Sequence, residues 1–558
     1  MYLLRQYHET VDAFIGSRSR RAFVFAWLFF VAALAVFEGI FLWLGPLPIN
    51  CCPGDNEIYL GGAWRIYNGQ IPHLDFYNQY GDLAFYVPYL GMKMGQFGLT
   101  SIVYGDVIVM ALAGVACLAI LSRRTSAFYA AVFTLFLSLL AVAPRPLGLG
   151  WTSTCYGGIY NRYGEVVLAL LALVLFIKPA ASLKAGWIDG AELVFAGCCL
   201  ALLIGCKLNY FVVGVGFFLV ACLGGFLKIR EAVVLLLGAA VFLALALALT
   251  GIPLAALYQD YRIMAAAQNM TTRLGMLART FCKHIVLLPV LLVFAWEAGK
   301  TRMGRALPWR HFVVVGTLFA GGLTAISGNT LSGELPIAAV AALYCAEAIR
   351  RNNIEAAEES FFTSTRSVLS AILVAIFLAP ISQLDVKVVF WGAYHGFMRH
   401  WTTIDEYRST SLKDFHVFGW ADHTTDLQPF MDFSNEVMAM LRRHADSRMR
   451  LAVFLYADPY NMALRLPPPK GGAGSYCWYG LNRRSHPPLK RMLGDATHLL
   501  VERSFLDTNN ATAVSDWSVS PRDVYGPDWN AVHLEVVEKT KNSVLLRIIN
   551  SGSDPEPH

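Results

Sequence analysis

Charge is scarce in this chain: Asp, Glu, Lys and Arg make up 15% of its 558 residues, against 56% hydrophobic. A soluble globular domain carries about 25% charged residues, so the shortage excludes a chain that is water-soluble throughout. Also missing are a Walker phosphate loop, a dinucleotide-binding glycine fingerprint and a nucleophile elbow, which removes the usual routes to nucleotide or serine-hydrolase chemistry. His73, His395, His400, His416 and His423 lack zinc-site spacing, and the eleven cysteines show no metal-type spacing either. There is no internal repeat and no low-complexity tract. No small-residue cleavage site follows the first apolar run, which is therefore expected to remain as an anchor.

What the chain does have is apolar runs of about 20 residues, the length a bilayer core demands. Eleven spans are expected, near 22–44, 101–121, 127–143, 164–178, 188–206, 208–227, 231–250, 281–298, 311–329, 334–349 and 367–384. Basic residues gather at alternate ends: Arg18, Arg20 and Arg21; Arg123 and Arg124; Lys178 and Lys184; Lys228 and Arg230; Lys300, Arg302, Arg305 and Arg310; Arg350 and Arg351. By the positive-inside rule these ends are cytoplasmic. The expected organisation is a mostly α, multi-pass inner-membrane domain over 1–384 with a cytoplasmic N-terminus. Its long first outer loop is 46–100, and an α/β soluble domain over 385–558 lies on the same outer, periplasmic side. The net charge of +6 reflects the inside bias and gives no reason to expect nucleic acid.

The first outer loop is acidic where a connecting loop is ordinarily short and bland. Asp55, Glu57, Asp75 and Asp82 share it with His73, Tyr59 and Tyr80. Like charges crowded together raise one another's pKa unless a cation or a proton transfer uses them, and a carboxylate is a natural base toward a hydroxyl. Ile58–Asn68 has the spacing of a helix lying in the membrane interface, and Leu83–Met94 reads as a second short helix interrupted at Pro88. Outward-facing cations are the complement: Lys207, with Asn209 beside it at the junction of two apolar runs, and Arg162, between Tyr160, Asn161 and Tyr163. Lys207 can snorkel to the interface, or join Arg162 and Asn209 in holding a lipid phosphate at low dielectric. Glu334 stands at another outer turn, near Asn329 and Thr330. Gly251–Thr280, carrying Tyr258, Asp260, Tyr261, Arg262, Gln268, Asn269 and Arg273, reads as a lid or surface helix.

Of the cysteines, Cys51, Cys52, Cys155 and Cys477 lie outside the spans, and a disulfide among them is open. In the C-terminal part, Phe430, Phe433, Val437, Met440 and Leu441 form a helical stripe. Leu451–Tyr456, Leu499–Val501, Val532–Val537 and Ser543–Ile549 read as strands, with a turn at Lys541-Asn542. Pro467–Gly474 reads as a long flexible loop.

Three elements together resemble the GT-C superfamily of polytopic, lipid-phosphosugar-dependent glycosyltransferases. They are Asp55-Asn56-Glu57-Ile58-Tyr59 running on to Ala63, Gly69-Gln70-Ile71-Pro72-His73-Leu74-Asp75-Phe76, and Tyr80-Gly81-Asp82. Lys207-Leu208-Asn209-Tyr210 is similar to an element of bacterial members. Asn56 stands where the family pattern has a second acidic residue, and Asp82 where it has proline. The resemblance implies that Asp55 is the base activating an acceptor hydroxyl of a glycan, lipid or protein. It also implies a polyprenyl-phosphate sugar as donor, with Lys207, Arg162 and Asn209 at its phosphate. Asp75, His73, Tyr80, Tyr160, Asn161 and Glu334 would then contact substrate, and a divalent Mg or Mn ion could sit on Asp55, Glu57 and Asp75. A lipid-linked-sugar transporter and a non-catalytic scaffold of an envelope polysaccharide complex are the alternatives.

Overall fold

The computed structural model describes residues 19–49, 51–180, 186–267, 270–299, 308–327, 333–355, 361–398, 406–408, 416–418, 424–476, 485–506 and 520–549. Cys477, Gln268, Asn269, Asn329, Thr330, His400 and His423, and the side chains of His395 and His416, lie outside what is described. Among the described residues the order of helices is α1 Arg20–Leu44, α2 Pro53–Tyr67, α3 Leu83–Lys93, α4 Leu99–Ser122, α5 Ala127–Val142, α6 Ile159–Phe176, α7 Gly186–Cys206 and α8 Leu208–Leu223. Then come α9 Ile229–Thr250, α10 Leu254–Ala267, α11 Met270–His284, α12 Leu287–Gly299, α13 Pro308–Ser327, α14 Ile337–Glu355, α15 Phe361–Met398 and α16 Thr424–His444.

The expected spans fall on helices, 281–298 across the break between α11 and α12, but the count of eleven is not confirmed. Among the described residues seven helices are long and apolar enough to cross a bilayer, or eight if Arg273–His284 and Leu287–Gly299, bent by 64°, make one broken span. α5 and α8 are apolar but have only 16 residues each, and at about 1.5 Å per residue they fall short of a bilayer core of about 30 Å. α14 ends in the polar run Ile-Arg-Arg-Asn-Asn-Ile-Glu. The last span, expected to stop at 384, continues to Met398 with Pro380 inside it.

α6 is the axis of the bundle. Its Val-Val-Leu-Ala-Leu-Leu-Ala-Leu-Val-Leu-Phe run is apolar on every side, which suits a helix with neighbours all round. It packs against α4, α5, α7, α8 and α14, and its span is wholly buried. Ser126 caps α5 by accepting from Tyr129 N–H at 3.5 Å. The basic ends at Arg123, Arg124, Lys178 and Arg351 meet on one side of the molecule: Arg351 donates to the carbonyls of Arg124, at 2.9 Å, and of Lys178. Arg123 pairs with Asp189 at 2.5 Å and Arg124 with Glu192 at 2.7 Å.

The C-terminal part is α/β. β1 Glu406–Arg408 and β2 His416–Phe418 form an antiparallel pair. β3 Leu451–Phe454, β4 His498–Glu502, β5 Leu534–Lys539 and β6 Ser543–Ile548 form a sheet in the order β3-β4-β6-β5, in which only the β3/β4 pairing is parallel. Strand alternation sends Leu451, Leu500 and Leu545 to one face, against Val437, Met440 and Leu441 of α16. Ala452, Phe454, Leu499, Val501, Val544 and Leu546 go to the other, with Met492 and Trp529. Tyr77 of the first loop, fully buried, belongs to this second core.

That intrusion overturns two expectations. α2 does not lie in the membrane interface: from Asn56 to Ile66 every side chain is buried, because the C-terminal part covers it. Nor is the Pro467–Gly474 segment a free loop. Arg65 donates to the carbonyls of Pro469 at 2.9 Å and Gly471 at 2.7 Å, and Gln70 to those of Pro468 and Pro469. Gly471 N–H donates to Asp75 O, and Tyr77 and Gly472–Gly474 exchange backbone bonds of 2.9 and 3.1 Å. The segment is a strap whose polar backbone is satisfied by the first loop.

Candidate active site

α2 begins at Pro53, a residue whose fixed φ suits a first helical turn. The preceding Cys52 has φ 46°, a left-handed turn, and places Asp55 in the first turn of the helix. The hydroxyl of Tyr456, from just beyond β3, donates to Asp55 Oδ1. Burial pushes the Asp55 carboxyl up to about 7, with the charge of Cys52 adding and the Tyr456 bond opposing. A carboxylate so placed can exchange a proton near neutrality. Gly157 closes the back of the site: a Cβ there would meet Asp55 Cβ at 2.5 Å and Cys155 Sγ at 2.8 Å. Glycine is what lets the 154–158 loop lie against the acid.

Beyond Asp55 stand three edge-on tyrosines. The rings of Tyr59 and Tyr80 are 6.5 Å apart, and each lies 5.8 Å from Tyr160. The Tyr59 hydroxyl accepts from Gly158 N–H at 2.8 Å. Lys207 Nζ sits 5.4 Å from the centre of the Tyr160 ring, an arrangement favoured by the ring quadrupole, and the charge of Arg273 reaches Lys207. Lys207 is the extended residue between α7 and α8, with φ −178° and ψ 143°. The break it makes frees carbonyls of α7, and that of Ile204 accepts from the Tyr261 hydroxyl at 2.6 Å. Gly81 seats the Tyr80 segment on this break; a Cβ there would lie 1.9 Å from Cys206 O.

The structure therefore links Asp55, Tyr59, Tyr80, Tyr160 and Lys207 in one run of contacts. It uses the other expected residues differently. Arg162, fully buried, grips Asp385 with Nη1 at 3.0 Å and Nη2 at 2.9 Å, and its Nε donates to Arg145 O at 2.7 Å. Arg145 adds a bond to Asp385 at 2.8 Å and a two-pronged contact with Glu334 at 2.6 and 2.9 Å. Arg162 and Glu334 thus belong to a closed ionic cluster, and Arg162 has no hydrogen-bonding edge turned to a lipid phosphate. Asn209 donates to Ala325 O at 2.6 Å, and Asn161 is buried at the start of α6.

His73 is enclosed as well. Its Nδ1 lies 2.9 Å from Asp260 and its Nε2 3.0 Å from Asp82, while Arg491 holds the other Asp260 oxygen at 2.7 Å. Burial alone would lower the imidazole, but the Asp82 charge and the bonds to Asp260 and Asp82 lift it to about 9. Asp75 accepts from Ile71 N–H at 2.8 Å and lies 3.6 Å from Lys470. Glu57 is turned toward Asp458, and burial holds its carboxyl well above the usual range, with the Asp458 charge adding.

Asp55, Glu57 and Asp75 consequently do not converge. Among the described residues, the side chains gathered closely enough to hold a metal ion are Cys51, Cys52 and Cys155. The donor set on the first loop does not fit a hard Mg or Mn ion, which needs several oxygens at one point. Asn56 explains part of this. Its Oδ1 accepts from Tyr156 N–H at 2.9 Å and its Nδ2 donates to Cys52 O at 3.1 Å; an acid there could accept but not donate. Tyr456, Asp260 and Arg491 were not foreseen as partners, because each contact closes over a long stretch of chain; Cys51, Cys52 and Cys155, expected only as candidates for a disulfide, are free thiols.

No protein-family model and no curated protein matches the chain. Among solved structures it is similar to ArnT from Cupriavidus metallidurans bound to undecaprenyl phosphate, at 13% identity and a TM-score of 0.43 over 95% of this chain and 99% of that one. The apo state of the same protein gives 13% and 0.42 over 96% and 100%.

Proposed function

We propose that this chain is an integral-membrane glycosyltransferase of GT-C type that moves a sugar from a polyprenyl-phosphate donor to a hydroxyl of a glycan, lipid or protein acceptor on the outer face of a bacterial inner membrane. The observation that carries it is the run of contacts itself: Asp55, half-buried and held by Tyr456, precedes Tyr59 by one turn of α2, the rings of Tyr59, Tyr80 and Tyr160 meet edge-on, and Lys207, at a helix break, lies over the Tyr160 ring. Tyrosine rings suit the apolar faces of a sugar. Asp55 removes the proton of the acceptor hydroxyl, whose oxygen attacks the anomeric carbon from the side opposite the leaving group, and the configuration inverts. The bond from that carbon to the phosphate oxygen breaks, and Lys207 stabilises the charge that develops on the departing polyprenyl phosphate. Tyr456 holds Asp55 until an acceptor hydroxyl takes its place. No step runs through a metal.

The helix break at Lys207 and the 64° bend between Arg273–His284 and Leu287–Gly299 favour the second reading, a transporter for the same lipid-linked sugar, since discontinuous helices line transport sites. Proteoliposomes holding the purified chain and a panel of labelled polyprenyl-phosphate sugars separate the two. Transfer of label to an acceptor with release of polyprenyl phosphate supports the transferase. Label that changes leaflet while still attached to its lipid supports transport and overturns the transferase.

A further inference from the structure

Cys51 and Cys52 precede α2, and Cys155 lies in the loop that backs Asp55. The three Sγ atoms all lie within 4.8 Å of one another. Two adjacent residues of an extended chain point their side chains to opposite sides; the left-handed φ of Cys52 breaks that alternation and turns both thiols toward Cys155. Non-glycine residues adopt such a φ only when the surroundings hold them there. Around Cys155 the sulfur both accepts and donates. Gly157 N–H donates to its Sγ at 3.0 Å, and the Asn56 amide, itself fixed by Tyr156 and Cys52, approaches at 3.6 Å. The Cys155 thiol donates to Cys52 O at 3.5 Å, and the Cys51 thiol to Thr154 O at 3.7 Å; both thiols would give up these bonds as they ligate. A disulfide would use two of these sulfurs and give no role to the third. A tetrahedral thiolate ion with bonds of about 2.3 Å uses all three, at sulfur separations of about 3.7 Å.

We propose that Cys51, Cys52 and Cys155 form a binding site for one thiophilic cation, Zn²⁺ in the first instance, with water at its fourth position. The ion would join the start of α2 to the 154–158 loop and so fix the helix turn that carries Asp55. Each thiol that ligates as thiolate gives its proton to solvent. Nothing in this assignment depends on the transfer reaction; it holds for a transferase or a transporter alike.

The test uses the full chain in detergent, reduced with a phosphine, and Cd²⁺ alone as probe. Expected is a thiolate-to-cadmium charge-transfer band that saturates at one equivalent, together with a rise in melting temperature on adding Zn²⁺. Both should be lost in Cys155→Ser and in Cys51→Ser and kept in Cys282→Ser, whose cysteine is exposed and outside the trio. Cys51 is only half-buried, so its variant reports on binding even if Cys155→Ser folds poorly. Absence of the band in the reduced wild type overturns the site, as does a band that Cys51→Ser retains at full amplitude. So does reduced protein that binds no Cd²⁺ while protein purified without reductant yields a Cys52–Cys155 disulfide on peptide mapping.

Discussion

Two groups of charge lie close to helix ends, and they are built on opposite plans. Around Asp385 a carboxylate is gripped by two guanidiniums, one of which also holds Glu334, with every contact between 2.6 and 3.2 Å and almost no solvent exposure. Around Asp55 the contacts are of another kind: the Tyr456 hydroxyl donates to the acid, and Lys207 lies over the Tyr160 ring, which meets Tyr59 edge-on. Closed clusters hold helices together; a carboxylate and a cation that do not pair with each other are available for other work. Arg162 and Lys207 therefore carry different duties although the sequence offers both as outward cations.

The comparison can be broken where it predicts the largest effect. Asp385→Asn leaves the buried Arg162 guanidinium without its counter-charge and Arg145 with Glu334 alone, and should cost about 3–5 kcal/mol of stability, read as a fall in melting temperature and folded yield in detergent. If it melts like the wild type, the cluster is not the clamp described. The His73 bridge sharpens the same contrast through pH. Its folded value of about 9 lies above the ordinary value of about 6.5, so its contribution is fully present below that ordinary value. It is lost as pH rises through the folded value, and it amounts to something on the order of 3 kcal/mol. Wild type should lose stability between roughly pH 6.5 and 9, and His73→Gln should flatten that stretch of the melting profile.

Smaller effects belong to the Asp55 group. Lys207→Met should weaken binding of polyprenyl phosphate by about 10- to 100-fold, the loss of a charged hydrogen bond worth about 1.5–3 kcal/mol, with the melting temperature little changed. Arg162→Lys, by contrast, should lower the melting temperature. Equal loss of lipid binding in both would erase the distinction drawn between them. Tyr456→Phe should cost about 0.5–1.5 kcal/mol of stability and leave transfer within a few-fold of wild type, since the phenol only holds the acid between turnovers.

How much of this could be read beforehand follows the range of each interaction. The helix positions, the α/β character of the C-terminal part and its strands came from local periodicity, and the hairpin turn at Lys541-Asn542 joins β5 to β6 as read. Asp55 stood out because its acidic and aromatic neighbours are close in sequence. What misled was contact at a distance. Arg162 read as a lipid ligand because Asp385 lies 223 residues away, and the proline-glycine strap read as flexible because Arg65 meets it across 404 and 406 residues. The span count is unconfirmed for a related reason: α5 and α8 are apolar but short, and helical packing, not hydropathy alone, decides where they end. The cysteine trio has no spacing signature at all, since its third member arrives from a separate loop.

The most direct measurement is transfer of labelled sugar from polyprenyl phosphate by Asp55→Asn in proteoliposomes, run beside the wild type at equal folded amount. Removing a general base should lower turnover by about 10²–10⁴-fold, with donor binding and melting temperature close to wild type. Turnover that survives the substitution at wild-type rate would contradict the account.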